Sequence, residues 1–577
     1  MPVDLNQVLV IGIFFITIGM LIFTDKRPST VFAAAVLALI LFGQISFFEV
    51  AHNLTNQGLL TLILLLLVSN AVDKTSLIKR LGRKLISPSF KTSYWRLFGL
   101  TFSASALLNN TAVVASLIGP ISQNQHHPAS RLLIPLSYSA ILGGTVTLIG
   151  TSTNLIVDSF MIEQGHPGFQ FWDFTLYGLI AGLSCGLLMF LLTPLLPAIE
   201  TRKGQFHRYF IEAKVMEDSE LIGKSVEDNH LRNLHELFLV EIVRDGRLLT
   251  PVTPDMIIMQ NDKLIFSGNV QNVDSLGHIK GLKLFAETDG LLRDNLTEVI
   301  ISNRAPIIGK TLKTLGFRAL FDAAVVAIRR DGEELSGKLG EIKLQSGDFL
   351  LLATGQDFVQ RHNLVKNFFI LSELRIATKL NKKQEWITVG GFALTIVLAA
   401  LSLIDLATGL VFFMAALVVS GVTTNGEVKR NVPLNLVIVI VGALSLATAL
   451  QTSGVIGEMT QLLKPILSDV SPFIALLVVY LLTLMLTELV TNNAAAALMF
   501  PFALGLVQML EVPLMPFALA VAFAASASFM SPYGYQTNLL VYNAANYQFK
   551  HFVKFGWLIS LTYSSIVLML LKYNYDF

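Results

Sequence analysis

Long apolar runs separated by short polar segments dominate both ends of the chain. Ten of these runs are about 20 residues long, which is the length that a tilted helix needs to cross the hydrocarbon core of a bilayer. The runs lie at 6–24, 30–48, 57–72, 132–157, 171–197, 386–404, 407–422, 432–450, 514–530 and 552–572. This pattern predicts a polytopic α-helical membrane protein.

Two further apolar stretches, 92–122 and 471–512, are interrupted in the middle by polar residues. We interpret each as a re-entrant hairpin, the first on the cytoplasmic side and the second on the outer side. Seven Lys and Arg residues in 73–96 indicate a cytoplasmic segment, because such residues are enriched in cytoplasmic loops. Five spans then lead from an outside N-terminus to a cytoplasmic middle, and five lead to an outside C-terminus. The two halves therefore have opposite orientation, as in an inverted repeat.

Charge divides the chain into membrane and soluble parts. Apolar residues make up 53% of the sequence and charged residues 14%, yet 50 of the 183 residues in 201–383 are charged, against 32 of the other 394. The segment 201–383 is thus predicted to be a soluble insert. A net charge of +2 argues against a nucleic-acid partner, and one cysteine excludes a disulfide framework.

Two Asn/Thr clusters recur at matched positions in the two halves. Asn-Asn-Thr at 109–111 is followed by Gly-Thr-Ser-Thr-Asn at 150–154, and Thr-Asn-Asn at 491–493 is followed by Gly-Tyr-Gln-Thr-Asn at 534–538. Such clusters within apolar segments leave backbone groups unsatisfied unless they line a polar cavity. Broken helices in transporters direct helix N-termini at an anion, and unwound carbonyls suit Na⁺. The alternative is that these side chains only join helices by hydrogen bonds.

These motifs resemble the divalent anion:sodium symporter family, whose members carry dicarboxylates, citrate or sulfate. Each hairpin tip of that family carries Ser-Asn-Thr, which contacts substrate and helps to form a Na⁺ site. Asn110 and Asn492 match the central Asn, Thr111 matches the last position, and the other three tip positions depart from the pattern. The resemblance implies a homodimer in which a transport domain moves against a scaffold by an elevator mechanism.

The resemblance, together with the matched clusters, gives two sets of expected site residues. The expected substrate-binding residues are Asn109, Asn110, Thr111, Thr491, Asn492, Asn493, Thr153 and Thr537. The expected Na⁺-binding residues are Asn110, Gly150, Thr151, Asn154, Asn492, Gly534 and Asn538. Glu488, a carboxylate within an apolar run, is a candidate for cation coupling or for positioning the hairpin.

The insert is itself a duplication with an offset of 86 residues. Ile-Gly-Lys-Ser-Val at 222–226 recurs as Ile-Gly-Lys-Thr-Leu at 308–312, and Asp-Lys-Leu-Ile-Phe at 262–266 recurs as Asp-Phe-Leu-Leu-Leu at 348–352. The series resembles the TrkA-C domain, the C-terminal half of a regulator of potassium conductance. This resemblance implies a regulatory or dimer-supporting module, with a small regulatory ligand as one option. The chain is then divided into a first membrane repeat, two TrkA-C domains and a second membrane repeat, at 1–200, 201–295, 296–383 and 384–577.

We therefore expect a secondary transporter of the inner (plasma) membrane rather than an enzyme. It would need no enzymatic cofactor and would use Na⁺ as the coupling ion, with H⁺ left open. Sulfate is favoured as the anion because family members with TrkA-C inserts are often sulfate carriers. The alternatives are a succinate-like or citrate symporter, a Na⁺/H⁺ antiporter and an ion channel gated by the insert.

Overall fold

The chain is mostly helical, as the apolar pattern predicts for a polytopic membrane protein. The computed structural model describes residues 5–24, 26–75, 82, 85–122, 124, 126–199, 210–231, 237–244, 247–249, 252–268, 280–285, 296–302, 305–330, 333–335, 339–354, 358, 361, 363–370, 380–455, 471–545 and 547–575. Part of the basic segment 73–96 and the predicted domain boundaries near 201 and 295 fall wholly or partly outside these residues, whereas the boundary at 383 lies in the described helix Lys382–Ala400.

Nine helices of the first membrane half are described. They are α1 (Leu5–Phe23), α2 (Pro28–Leu41), α3 (Phe47–Leu54), α4 (Gln57–Val72), α5 (Phe90–Ser105), α6 (Asn110–Ser122), α7 (Ser130–Gly144), α8 (Ser152–Glu163) and α9 (Thr175–Leu192).

The run 132–157 is two helices, α7 and α8, because the chain unwinds between Gly144 and Ser152. The short helix α3 covers the end of the predicted span 30–48 and the predicted loop that follows it. Ser46 begins it with a capping box to Glu49, which satisfies donors at the helix start.

Nine helices are also described in the second membrane half. They are α13 (Lys382–Ala400), α14 (Leu406–Val419), α15 (Asn425–Asn431), α16 (Leu434–Thr452), α17 (Pro472–Leu489), α18 (Asn492–Leu510), α19 (Leu514–Ser526), α20 (Gln536–Ala544) and α21 (Phe549–Asn574). Within the described residues, six helices are long and apolar enough to cross a membrane: α1, α9, α16, α17, α18 and α21. Because α17 and α18 both have spanning length, the re-entrant hairpin at 471–512 stays a prediction.

The membrane helices pack in two groups. The first, which we call the binding group, contains α5–α9 and α17–α21, with α20 of the second half packed on α6 and α7 of the first. The second, the framing group, contains α1–α4 and α13–α16, with α2 packed on α16 and α4 on α14. The principal contacts between the groups are α4 with α8 and α16 with α18. Helices of the two halves are therefore interleaved within each group.

The middle of the chain forms two five-stranded antiparallel sheets. Their strands are β1 (Phe210–Val215), β2 (Leu237–Arg244), β3 (Arg247–Leu249), β4 (Lys263–Gly268), β5 (Leu282–Phe285), β6 (Leu296–Ile301), β7 (Ala323–Arg330), β8 (Glu333–Glu334), β9 (Phe349–Thr354) and β10 (Phe368–Ile370). Three short helices accompany the second sheet: α10 (Leu312–Leu315), α11 (Phe317–Phe321) and α12 (Leu364–Asn367). The strand orders are β3-β2-β4-β1-β5 and β8-β7-β9-β6-β10, so the two sheets have one topology.

The 86-residue sequence offset is also an offset between structural positions. The ladder irregularity at Leu239/Glu241 in the first sheet corresponds to the one at Val325/Ala327 in the second. A buried Asp directly precedes β4 and β9 and accepts two hydrogen bonds from an Arg side chain. Asp262 accepts from Arg244 and Asp348 from Arg330, at 2.7–2.9 Å. These ion pairs explain the repeated Asp as a structural residue. The Asp-Gly pairs that directly follow Arg244 and Arg330 in the sequence, at 245–246 and 331–332, lie outside the described residues.

Candidate functional site

A polar cavity lies where the interruptions in the apolar segments meet. Its volume is about 80 Å³, and it lies between the turns that begin α6 and α18 and the unwound segments that precede α8 and α20. It is lined by Leu62, Leu65, Leu66, Ser69, Leu107, Asn109, Asn110, Thr111, Ile149, Gly150, Thr151, Ser152, Leu155, Leu436, Asn492, Asn493, Tyr535 and Gln536. Among the described residues, the lining contains neither Lys nor Arg, and neither Asp nor Glu.

Four helices begin at the wall of this cavity. Their first residues all line it: Asn110 of α6, Ser152 of α8, Asn492 of α18 and Gln536 of α20. Each helix N-terminus carries about half of a positive elementary charge, together with backbone N–H groups that have no partner within the helix. The four ends together supply about two positive charges without a basic side chain. The cavity is thus electrostatically suited to a small anion of charge −2.

Hydrogen bonds across the cavity join each tip to the unwound segment of the other half. Ser152 Oγ donates to Asn493 Oδ1 at 2.8 Å, and Thr111 Oγ1 donates to Gln536 Oε1 at 3.2 Å. Both bonds therefore run from one half of the chain to the other. The first bond joins the start of α8 to the start of α18, and the second joins the start of α6 to the start of α20.

Tyr535 makes a third connection between the halves. Its hydroxyl accepts a hydrogen bond from Asn110 Nδ2 at 2.8 Å and lies 3.2 Å from Thr151 Oγ1. The phenol therefore joins the first tip to the first unwound segment, although it belongs to the second half of the chain. The side chain is buried, so these partners replace water at the hydroxyl.

The unwound segments are held from behind by two asparagines at equivalent positions. Asn154 Nδ2 donates to the carbonyl of Thr147 at 2.9 Å, and Asn538 Nδ2 donates to the carbonyl of Ser531 at 3.1 Å. In both cases the two residues are seven positions apart. Each unwound segment ends near a glycine, because neighbouring atoms leave no room there for a side chain. A Cβ at Gly150 would overlap the carbonyl of Gly144, and one at Gly534 would overlap Ser528 Oγ.

Five of the eight predicted substrate-binding residues line the cavity. These are Asn109, Asn110, Thr111, Asn492 and Asn493. The other three residues do not line the cavity and form hydrogen bonds with residues outside the lining. Thr491 Oγ1 accepts a hydrogen bond from Ala494 N at the start of α18, Thr153 contacts Ser526 Oγ at 2.6 Å, and Thr537 accepts from Ser137 Oγ at 2.9 Å.

The predicted Na⁺-binding residues divide in the same way. Asn110, Gly150, Thr151 and Asn492 line the cavity, whereas Asn154, Gly534 and Asn538 lie behind it. Asn154 and Asn538 support the carbonyl-bearing segments rather than facing the cavity. The structure thus brings three of the predicted Na⁺-binding residues, Asn110, Gly150 and Thr151, together on the first half of the site, and it places a supporting amide behind each half.

Glu488 supports the second unwound segment. Its carboxylate accepts hydrogen bonds from the backbone N–H groups of Phe529, Met530 and Ser531 at 2.8–3.0 Å, and from Ser528 Oγ at 3.2 Å. Glu488 does not line the cavity. These contacts join the end of α17 to the second unwound segment, and the roles in cation coupling and in positioning the hairpin both stay predictions.

Two buried polar atoms in the cavity wall have no hydrogen-bond partner. They are Asn110 Oδ1 and Ser69 Oγ. A carbonyl oxygen accepts hydrogen bonds or binds a cation, whereas a hydroxyl also donates. Both atoms have almost no exposed surface, and buried polar atoms of this kind normally have a partner.

Sequence reasoning missed four polar residues of the lining. Tyr535, Gln536 and Ser152 lie inside the quoted motifs, but only the fold shows that they reach the opposite half. Ser69 belongs to an ordinary apolar run, α4, and no sequence signal distinguishes it from other serines in membrane helices.

Comparison with known proteins identifies the class of protein. A profile described as citrate transporter matches residues 19–511. A transporter of Synechocystis sp. without an assigned substrate is 29% identical over 576 residues, covering 95% of this chain and 94% of the relative. Sodium/sulfate cotransporter 2 of Chlamydomonas reinhardtii is 28% identical over 369 residues, covering 62% of this chain and 42% of the relative. The sodium-dependent dicarboxylate transporter SdcS of Staphylococcus saprophyticus is 29% identical over 147 residues, covering 26% and 28%.

The protein is a membrane transporter, and its family and relatives are transporters rather than enzymes. The profile spans most of the sequence, so the chain belongs to the citrate transporter family. That family lies in the ion transporter superfamily and is related to the divalent anion:sodium symporters that the motifs resemble.

Proposed function

We propose that this protein is a secondary active transporter that couples Na⁺ to the movement of a small divalent anion, with sulfate favoured. The observation that carries the proposal is the convergence of four helix N-termini on a cavity whose described lining has no basic side chain. About two positive charges from these ends complement a dianion. Fixed partial charges also bind more weakly than a buried Arg or Lys would, and a transporter has to release what it binds.

The size of the cavity favours a compact oxyanion. A water molecule needs about 10–15 Å³ of such volume, so a cavity of about 80 Å³ accommodates roughly five to eight water-sized atoms. Sulfate with an accompanying Na⁺ is within this range, and citrate with three carboxylates exceeds it. A succinate-like dicarboxylate is at the upper limit. It is the second candidate, because SdcS is named as a dicarboxylate transporter.

The proposed coupling ion is Na⁺, bound on the first half of the site. Asn110 Oδ1 is buried and has no hydrogen-bond partner, so a cation would satisfy it. Gly150 and Thr151 line the cavity in the adjacent unwound segment and would supply oxygen ligands, which hard cations prefer. Relatives named as sodium/sulfate and sodium-dependent dicarboxylate transporters support this choice.

The proposed mechanism is an elevator movement of the binding group against the framing group. All tips and unwound segments belong to the binding group, whereas the framing group faces the cavity with four leucines and one serine: Leu62, Leu65, Leu66, Leu436 and Ser69. An apolar wall permits sliding because it forms few hydrogen bonds that would have to break. We further propose that the two membrane halves are an inverted repeat, with 92–122 and 471–512 as re-entrant hairpins, in a homodimer of the inner membrane.

The insert is proposed to be a pair of cytoplasmic TrkA-C domains that regulates transport or supports the dimer. The equal strand orders and the 86-residue offset support a duplication. None of the described residues between 210 and 370 lines the cavity, which favours a role outside substrate binding. A small regulatory ligand would act by binding two conformations unequally.

Uptake into proteoliposomes tests the proposed function. Labelled sulfate and labelled succinate would each be presented with an inward Na⁺ gradient and with K⁺ in place of Na⁺. We expect Na⁺-dependent sulfate uptake that exceeds succinate uptake at equal concentration. Preferred uptake of succinate would transfer the assignment to dicarboxylates, and uptake of neither anion would overturn it.

A further inference from the structure

The hydroxyl of Ser137, in the middle of α7, is bonded to the other half of the chain. Serines in helices commonly donate to the carbonyl four residues earlier, as Ser139 of the same helix does to Pro135 at 2.6 Å. Ser137 Oγ instead donates to Asn538 Oδ1 at 2.7 Å and lies 2.9 Å from Thr537 Oγ1. All three side chains of this contact are fully buried, so bulk water does not compete for the bond.

Both partners of Ser137 lie in the first turn of α20. Gln536, the first residue of that helix, lines the cavity, and Thr537 and Asn538 directly follow it. Ser137 therefore attaches a helix of the first half to a helix end that belongs to the second half. This end is one of the four that direct partial positive charge at the cavity.

Asn538 extends this attachment to the second unwound segment. Its Nδ2 donates to the carbonyls of Ser528 and Ser531, at 2.8 and 3.1 Å, while its Oδ1 accepts from Ser137. The amide thus has carbonyls on its nitrogen side and a hydroxyl on its oxygen side. Loss of the Ser137 hydroxyl would leave a buried amide oxygen without this donor, which costs free energy.

We propose that Ser137 is a positioning residue of the candidate site, which acts through Asn538 to hold the second unwound segment and the start of α20 in the geometry that binds the transported ions. The inference rests on the proposed function, since it assumes that these ions enter the cavity. Ser137 does not line the cavity, so its effect has to pass through its partners. Groups that orient the ligands of an ion change the affinity for that ion without touching it.

The test compares Ser137→Ala with the matched control Ser139→Ala in reconstituted protein. Ser139 lies two residues further along α7 and is equally buried, but its hydroxyl bonds within its own helix. Ser137→Cys, which retains a weak donor, is a second and milder variant. The Na⁺ concentration for half-maximal sulfate uptake, kcat at saturating Na⁺ and sulfate, and thermal stability would be measured for each.

We expect Ser137→Ala to raise the Na⁺ concentration for half-maximal uptake by about 2- to 12-fold, which corresponds to the net free energy of one neutral hydrogen bond. The kcat should stay near wild type, because saturating ligands restore the bound geometry. Ser139→Ala should leave both parameters near wild type, and Ser137→Cys should lie between wild type and Ser137→Ala. An unchanged Na⁺ dependence in Ser137→Ala and Ser137→Cys, or an equal change in Ser139→Ala, would overturn the inference.

A double-mutant cycle tests whether Ser137 acts through Asn538. Substitutions within one hydrogen-bond network are non-additive, whereas those at independent sites add. In an Asn538→Ala background, Ser137→Ala should change the Na⁺ dependence by less than about twofold. In an Asn154→Ala background it should keep its full effect, because Asn154 supports the other unwound segment. A full effect in the Asn538→Ala background would overturn the inference, whereas absence of anion uptake by the wild type would instead refute the proposed function.

Discussion

Tyr535→Phe removes one oxygen atom from the centre of the candidate site and leaves the aromatic ring in place. The hydroxyl accepts from Asn110 Nδ2 at 2.8 Å and lies 3.2 Å from Thr151 Oγ1. The substitution therefore leaves the amide of the first tip and a hydroxyl of the first unwound segment without this partner. Both groups belong to the part of the site to which we assign Na⁺.

The size of the effect follows from the cost of an unsatisfied buried polar group. That cost is about 1–3 kcal/mol, and each 1.4 kcal/mol corresponds to a tenfold change in affinity or rate. The expected fall in kcat/KM for the anion is therefore about 5- to 150-fold. The lower value applies where a water molecule replaces the hydroxyl, since the cavity is large enough to admit one.

Initial uptake rates in proteoliposomes, at matched protein content, would measure this effect. Tyr480→Phe is the matched control, because Tyr480 is fully buried and its hydroxyl donates to Ser564 Oγ at 3.1 Å away from the cavity. We expect Tyr480→Phe to affect thermal stability alone. Wild-type kinetics for Tyr535→Phe, or equal losses in both variants, would refute the reasoning that the phenol joins the two halves of the site.

Three further predictions follow from the same geometry. Asn110→Ala or Asn492→Ala should abolish uptake while leaving the mass and thermal stability of the purified protein near wild type; wild-type uptake by either variant would contradict the tip assignment. Asn154→Ala or Asn538→Ala should raise the Na⁺ concentration for half-maximal uptake several-fold, because each frees a carbonyl of its unwound segment; a change in anion KM alone would argue against this. Replacement of 205–380 by a flexible linker should retain the anion KM and change the rate or its regulation; lost anion affinity in a folded protein would extend the binding site into the insert.

The membrane character of the fold could be predicted from the sequence because apolar run length is a strong physical signal. The breaks within 132–157 and after 514–526 were indicated by Asn and Thr clusters, since such residues disfavour an uninterrupted lipid-facing helix. The helix α3 was not predicted. Its existence depends on the capping box of Ser46 and Glu49, which is a short signal inside an apolar context.

The candidate site was only partly predictable, because sequence gives position along a helix and not the neighbour that a side chain meets. Thr153 and Thr537 occupy the expected segments, yet each forms a hydrogen bond with a serine of the other half. Tyr535 reaches the opposite tip only because α20 packs on α6 and α7. Ser69 enters the cavity from a helix of the framing group, 40 residues before the first tip, and no local pattern marks it.

Concentrative uptake of sulfate tests the central claim most directly. Proteoliposomes would receive labelled sulfate with an inward Na⁺ gradient, with equal Na⁺ on both sides, and with a gradient of K⁺, for the wild type and for Asn110→Ala. We predict that internal sulfate transiently exceeds the external concentration only for the wild type with the Na⁺ gradient. Equilibration without accumulation, or equal accumulation under the K⁺ gradient, would contradict Na⁺-coupled transport through this cavity.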